Sequence, residues 1–150
     1  MKSDKIAIVH YSHKHGEDLI PVLLKKGLPK ITNRLLARLG VWEPELERQD
    51  EYAEWIGPYK IDEIPTLEGP RDWSPRQVSR EDMLLTIISL YSHREGLSAV
   101  PVLLPRGTKE LPEVTKEILR SVTDEEFDFE NEDNVAGWIS SGILKTLHQV

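Results

Sequence analysis

The pattern of hydrophobic and polar positions near the start of the chain predicts a β-hairpin. Lys5–His13 is rich in Ile and Val and is apolar on both faces near its start, which is typical of a strand inside a sheet. A turn is expected over Lys14–Glu17, which contains a glycine. Leu19–Leu24 predicts a second strand. Because its Pro21 has no N–H to donate to a neighbouring strand, we place it at an edge of the sheet.

The same pattern returns later with part of the same sequence. Residues 91–107 repeat residues 11–27 at a displacement of 80 positions, with nine identities and no gap. The repeat predicts an inner strand over Leu84–His93 and an edge strand over Ala99–Leu104. A helix over Asp82–Leu90 is the alternative, because a segment resembling a capping box precedes it. The repeat favours the strand.

Apolar residues at helical spacing predict further elements. Pro29–Leu39 and its counterpart Glu110–Val122 predict one helix in each half of the chain. The acidic segment Glu43–Trp55 is expected to become helical towards its end. Asn134–Leu147 is expected to form a closing helix.

These elements predict an α+β fold made by internal duplication. Each repeat would be a β-hairpin plus helices, and the two repeats would be related by a pseudo-twofold axis. The hairpins would form a central sheet of about four strands in the order 2-1-3-4, covered by helices. We expect a single domain over residues 1–150, with repeat 1 at about 6–57, a linker at about 58–82 and repeat 2 at about 86–140.

The composition limits the classes of function. The chain has 150 residues, a net charge of −7 and no cysteine, which excludes disulfides, thiol chemistry and cysteine-type zinc sites. The acidic balance argues against direct binding to a nucleic-acid backbone, which needs clustered Lys and Arg. No apolar run approaches about 18 residues and the start turns polar too soon for a signal peptide, so a cytoplasmic protein without a membrane segment is expected. The sequence contains none of the common phosphate-binding or nucleophile motifs, and no cofactor is predicted.

A Tyr-Ser-His motif occurs in both copies of the repeat, and its histidines are the candidate catalytic residues. His13 and His93 follow Ser12 and Ser92, and histidine is the usual general acid–base group near neutral pH. If the two inner strands pair antiparallel, a rise of about 3.4 Å per residue carries the histidines to opposite ends of the sheet. If the strands pair parallel, the histidines meet at one end and could share a substrate.

One of these motifs resembles that of a known enzyme family. His10, Tyr11 and Ser12 fit the His-x-Ser/Thr motif of the two-histidine phosphoesterases, which are also internally duplicated and carry one such motif in each half. The second copy has Leu90 where the histidine would be. The resemblance implies a phosphoesterase-like use of paired histidines. The alternative is that Tyr-Ser-His ends a strand and orders the turn through side-chain hydrogen bonds.

A metal site is not predicted among the histidines. His10, His13 and His15 are close in sequence, but His10 and His13 face opposite sides of a regular strand, whereas metal ligands must converge. The second copy offers only His93 and Glu95.

Two acidic segments and the linker are the candidate partner-binding surfaces. Glu43–Glu54 and Asp124–Asp133 occupy equivalent places in the two copies, and acids mixed with Phe127 and Phe129 can dock on a basic partner. The linker adds Trp73 among prolines and glycines. The residues predicted to bind a partner are Trp73, Glu47, Asp50, Asp124, Glu125, Glu126 and Asp128.

The leading hypothesis is a non-enzymatic interaction or accessory protein that binds a macromolecular partner through its acidic and linker surfaces. We expect a protein partner with a basic surface. The alternative is a small phosphoesterase-like or nucleotide-binding enzyme that uses the paired histidines of the Tyr-Ser-His motif.

Overall fold

The residues that the structure describes form seven strands and two short α-helices. The computed structural model describes residues 4–67, 79–92, 96–108 and 110–150, with the backbone alone for 140 and 141. The strands of the described residues are β1 (Lys5–His13), β2 (Gly16–Leu24), β3 (Tyr52–Lys60), β4 (Leu84–Ser92), β5 (Gly96–Leu104), β6 (Val135–Ile143) and β7 (His148–Gln149). The α-helices are α1 (Asn33–Arg38) and α2 (Lys116–Val122).

The chain divides into two compact units, each with its own sheet. Unit 1 comprises Met1–Ile61 and Leu147–Val150, and unit 2 comprises Asp62–Thr146. The sheet of unit 1 has the order β3-β1-β2-β7, and the sheet of unit 2 has the order β5-β4-β6. An isolated bridge between Thr66 and Leu103 adds a further pairing to the outer side of β5.

The hairpin of unit 1 depends on a glycine with an unusual backbone conformation. β1 and β2 pair antiparallel, and His13 pairs with Gly16 across a loop of two residues. Gly16 has a φ of 128°, a region that residues with a Cβ rarely adopt. A Cβ added at Gly16 would meet no atom within 4 Å, so conformation and not space requires glycine at this position.

One face of the unit 1 sheet packs on α1. Alternate residues of a strand point to the same face, so β1 and β2 each present a row of apolar side chains to the helix. The helix begins after Thr32, whose Oγ1 accepts a hydrogen bond from the backbone N–H of Leu35 at 3.1 Å, as an N-cap residue does. The buried residues of this core are Ala7, Val9, Tyr11, Val22, Leu24, Leu35, Leu36 and Leu39.

The core of unit 2 lies between its sheet and α2. β4 is the central strand and pairs antiparallel with both β5 and β6. The helix is capped by Thr115, whose Oγ1 accepts a hydrogen bond from the N–H of Ile118 at 3.2 Å. The buried residues of this core are Ile88, Leu90, Val100, Val102, Val114, Leu119 and Val122.

The predicted fold class is wrong. The protein is mainly β, and it is not an α+β sheet of duplicated repeats covered by helices, because the described residues contain only two α-helices, of six and seven residues. The predicted order 2-1-3-4 required β1 and β4 to pair with each other. Instead β3 occupies the free side of β1 and β6 occupies the free side of β4, so the two hairpins belong to different sheets.

Two of the predicted helices are strands. The end of Glu43–Trp55 belongs to β3, and most of Asn134–Leu147 belongs to β6. The other two helices form but are shorter than predicted, because Thr32 and Thr115 cap them several residues after the expected start. The strand positions of both hairpins are confirmed, and the helical alternative over Asp82–Leu90 is wrong.

The edge placement of the proline-containing strands is confirmed only in part, because each strand has a short partner on its outer side. Leu103 of β5 pairs with the segment 65–67, and β2 pairs with the two-residue β7. That pairing involves Val22 and Leu23, so Pro21 lies outside it. In the described part of the chain, no helix is long and apolar enough to cross a membrane.

Candidate functional site

An open groove in unit 2 is lined by four carboxylates of the second acidic segment. These are the four residues of that segment that were predicted to bind a partner. It has a volume of about 680 Å³ and is formed by α2, the segment that follows it and the end of β4. We call it the acidic groove. Its charged and aromatic lining residues are Asp124, Glu125, Glu126, Asp128, Phe127, Phe129, Lys116 and Arg120.

Local hydrogen bonds hold the segment after α2 in place. The N–H of Glu125 donates to Oγ1 of Thr123 at 3.2 Å, which turns the chain directly after the helix. The N–H of Glu130 donates to Oδ1 of Asp128 at 3.0 Å, and the side-chain amide of Asn134 donates to the backbone carbonyl of Asp128 at 3.1 Å. Asp128 therefore has a structural role in the turn as well as a place in the groove.

Two of the carboxylates in the acidic groove have no partner within the described part of the chain. Asp124 and Glu126 are exposed, and neither has a hydrogen-bond or ion-pair partner among the residues that the structure describes. Lys116 and Arg120, on the same groove, also form no ion pair within those residues. A ligand would therefore not have to displace a partner of these four side chains from among the described residues.

A pair of phenylalanine rings gives the acidic groove an apolar centre. The rings of Phe127 and Phe129 meet edge to face, with centroids 4.8 Å apart and an interplanar angle of 73°. Phe127 packs against the core of unit 2, while Phe129 remains 37% exposed. The inner ring anchors the pair, and the outer ring can contact another molecule.

The predicted partner-binding residues of unit 1 take part in the loop between α1 and β3. Oε1 of Glu47 accepts a hydrogen bond from the side-chain amide of Asn33 at 2.6 Å. Oδ1 of Asp50 accepts one from Nε of Arg48 at 3.2 Å. Both carboxylates are exposed, and their role towards a partner stays a prediction. Trp73 lies outside the described residues.

His13 is engaged on both ring nitrogens within its own hairpin. Its Nδ1 accepts a hydrogen bond from the N–H of His15 at 3.2 Å, and its Nε2 lies 3.0 Å from Oδ2 of Asp18. Because Nδ1 accepts, the proton belongs on Nε2, which donates to the carboxylate. The ring also stacks on Tyr11, with centroids 4.9 Å apart. These contacts order the turn.

The structure describes the histidine of only one of the two Tyr-Ser-His motifs, so it describes no pair of catalytic histidines. Ser12 pairs in register with Glu17 of β2 and Tyr52 of β3. Ser92 ends β4 and lines the acidic groove, while His93 lies outside the described residues. Since β1 and β4 are not neighbours in one sheet, the choice between parallel and antiparallel pairing does not arise. The paired-histidine enzyme stays a hypothesis.

His10 joins the three main strands of unit 1. The side chain is 3% exposed, with Nε2 3.0 Å from Oε1 of Glu17 on β2 and Nδ1 3.2 Å from Oε1 of Glu54 on β3. Each ring nitrogen therefore lies within hydrogen-bond distance of a carboxylate on a different neighbouring strand. The contacts tie β2 and β3 to β1.

Tyr11 is a buried tyrosine with a carboxylate partner. Its hydroxyl donates a hydrogen bond to Oε1 of Glu51, and the same oxygen accepts the N–H of Glu45 at 3.0 Å. Burial and then the hydrogen bond to Glu51 raise the pKa of Tyr11 to about 12. The same hydrogen bond lowers the pKa of the Glu51 carboxyl.

A second groove, in unit 1, was missed from the sequence. It has a volume of about 580 Å³, and we call it the basic groove. A sequence signal was present, because four of its basic residues recur at intervals of four from Lys26 to Arg38. The net charge of −7 for the whole chain does not show this local cluster of basic residues. The basic residues that line the groove are Lys25, Lys26, Lys30, Arg34 and Arg38.

Comparisons with known proteins identify no relative from which a function could be inferred. No protein-family model, curated protein or solved structure matches the chain. Among the described residues, no three His, Asp or Glu side chains are placed together so that they could hold a metal ion.

Proposed function

We propose that the protein is a non-enzymatic interaction module that binds a basic, partly apolar segment of a partner protein in the acidic groove. The observation that carries this proposal is that Asp124 and Glu126, which have no partner among the described residues, share the groove with the partly exposed ring of Phe129. Such a lining offers charge to a Lys or Arg side chain and apolar contact to its neighbour.

The charges of the acidic groove would attract and orient the partner. Exposed carboxylates raise the rate of encounter with a basic segment, and this effect falls as salt increases. Lys116 and Arg120 line the α2 side of the groove and would repel the basic residues of the partner there. The basic residues would therefore settle on the side of the groove that carries Asp124 and Glu126.

The aromatic pair would supply affinity that salt does not remove. Aromatic side chains are enriched among the residues that dominate binding at protein interfaces. Phe129 can bury further apolar surface on binding, because Phe127 already holds its position by edge-to-face contact. Charge and apolar contact can thus be separated experimentally.

The test is the affinity of a short synthetic peptide of alternating Lys and Leu, measured from about 0.02 to 0.5 M salt. We expect the double variant Asp124→Asn, Glu126→Gln to weaken binding about fivefold at low salt, because each exposed ion pair contributes about 0.5 kcal/mol. The difference from the parent should vanish at high salt. Phe129→Ala should weaken binding at every salt concentration.

A matched control is available in the same segment. Glu130→Gln with Glu132→Gln removes two exposed charges that do not line the groove, and it should leave the affinity within about twofold of the parent. Asp128 is left unchanged because its side chain holds the turn. Equal weakening by the control and the groove variant would reduce the effect to net charge and contradict the proposal.

A further inference from the structure

The basic groove of unit 1 concentrates positive charge in an acidic protein. Five of the 19 Lys and Arg residues line one groove of about 580 Å³, while the whole chain has a net charge of −7. Pro29, Leu35 and Val150 also line it, so the cations surround an apolar floor. A volume of this size is typical of small-molecule sites.

Among the described residues, most of these cations have no counter-charge. Lys25 forms an ion pair with Asp4, whose carboxylate lies 2.7 Å away and is largely buried. Lys26, Lys30, Arg34 and Arg38 are exposed, and none of the four forms an ion pair or hydrogen bond with another side chain in the described ranges. Four like charges in one groove repel each other unless an anion is bound among them.

The local structure does not require these cations. Beyond a three-residue insertion around 108–110, the sequence repeat continues at a displacement of 83 positions. There Glu113, Glu117 and Ser121 stand where the basic groove has Lys30, Arg34 and Arg38. That segment still forms α2 with its threonine cap. A helix of this type therefore forms without the charges at these three positions.

The arrangement of the cations fits clustered phosphates. Arg34 and Arg38 are four residues apart on α1, which places them on one face of the helix about 6 Å apart along its axis. A guanidinium can donate two parallel hydrogen bonds to one phosphate, and a Lys ammonium adds a compact point charge. Four positive charges match the charge of two phosphate groups, each about −1.5 to −2 near pH 7, better than that of one.

We propose that the basic groove binds a small molecule that carries at least two phosphate groups. Arg34 and Arg38 would hold one phosphate, and Lys26 and Lys30 would hold the other. The apolar floor would take the part of the molecule that carries no charge. A nucleic acid fits less well, because none of the described residues that line the groove has an aromatic ring for base stacking. The site is separate from the acidic groove and does not depend on its proposed function.

The experiment measures binding of inorganic tripolyphosphate to the full chain by calorimetry, with orthophosphate for comparison. We expect the parent to bind tripolyphosphate at least tenfold more tightly than orthophosphate. Arg34→Gln with Arg38→Gln should weaken tripolyphosphate binding at least tenfold while the thermal unfolding curve is retained, since both side chains are exposed and Gln favours helices. Lys5→Gln with Lys60→Gln removes the same charge from unit 1 outside the groove and should change the affinity less than twofold.

Two further probes identify the source of the phosphates and the competing ligands. Vesicles of phosphatidylcholine with a minor fraction of phosphatidylinositol bisphosphate, bound with the same Arg dependence, would assign the phosphates to a lipid headgroup. Binding of tripolyphosphate without vesicle binding would assign them to a free ligand. The proposal would be overturned by absence of tripolyphosphate binding or by equal weakening in both double variants. It would also be overturned if poly-glutamate or single-stranded DNA bound more tightly than tripolyphosphate.

Discussion

The indole Nε1 of Trp55 donates a hydrogen bond to the backbone carbonyl of Pro29, 2.8 Å away. The bond ties the third strand of unit 1 to the segment that precedes α1. In unit 2, Nε1 of Trp138 donates to the carbonyl of Pro112 at 2.7 Å in the same way. In each unit, the proline carbonyl accepts a hydrogen bond from an indole and not from a backbone N–H of the helix. This agrees with the finding that both helices start later than the sequence predicted.

Replacing Trp55 by Phe should destabilise the protein by about 1 kcal/mol, because the carbonyl of Pro29 loses its donor in a partly buried position. The measurement is urea unfolding followed by circular dichroism, which does not depend on tryptophan fluorescence. Trp42→Phe is the control, since Trp42 is 86% exposed, and it should change the unfolding free energy by less than about 0.5 kcal/mol. Equal stability of the two variants would show that the indole bond does not hold the strand.

Gly16→Ala should destabilise the β1-β2 hairpin by about 1–3 kcal/mol, because a φ of 128° is a region that almost only glycine adopts. Gly27→Ala is the matched control. Gly27 also belongs to the repeated motif, but its φ is not in the left-handed region and a Cβ there meets no atom within 4 Å. Thermal unfolding of both variants separates the two cases, and a tolerated Gly16→Ala would contradict the assigned turn.

Tyr11 should make the stability of the protein fall in the alkaline range. Its pKa is about 12 in the folded state and about 10 in an unfolded chain. Between these values the unfolded state has lost the proton while the folded state keeps it, so the free energy of unfolding decreases as pH rises. Below pH 10 the contribution of Tyr11 is fully present.

The measurement is chemical unfolding at a series of pH values from about 9 to 12, for the parent and for Tyr11→Phe. The variant should lack the part of the alkaline decrease that belongs to this tyrosine. Absorbance titration of the folded parent near 295 nm should show one tyrosine that ionises near pH 12. Identical stability profiles of parent and variant would show that Tyr11 is not held by burial and Glu51.

Local pattern in the sequence predicted the two hairpins, whereas the third strands depend on distant residues. Tyr52, Trp55 and Ile56 fit helical spacing as well as they fit β3, and only pairing with β1 decides between them. Pairing of β6 with β4 decides the second case in the same way. Because these pairings occupy the inner strands, they also determine that two sheets form and not one.

The two grooves differ in how far the sequence could predict them. The carboxylates and phenylalanines of the acidic groove belong to one continuous run, Asp124–Phe129, so they were visible as a charge pattern. The basic groove joins residues from Lys25 to Arg38 with Gln149 and Val150 at the other end of the chain. Pairing of β7 with β2 brings these segments together, and no local pattern reports it.

The most direct test of the proposed function is a nuclear magnetic resonance titration of the isotope-labelled protein with the Lys/Leu peptide. We expect amide shifts to change around the acidic groove, from Lys116 to Phe129, and to reverse partly when salt is added. A peptide with Glu in place of Lys should leave these amides unchanged. Shifts confined to other parts of the chain, or absent at all peptide concentrations, would contradict the assignment of the acidic groove as the partner-binding site.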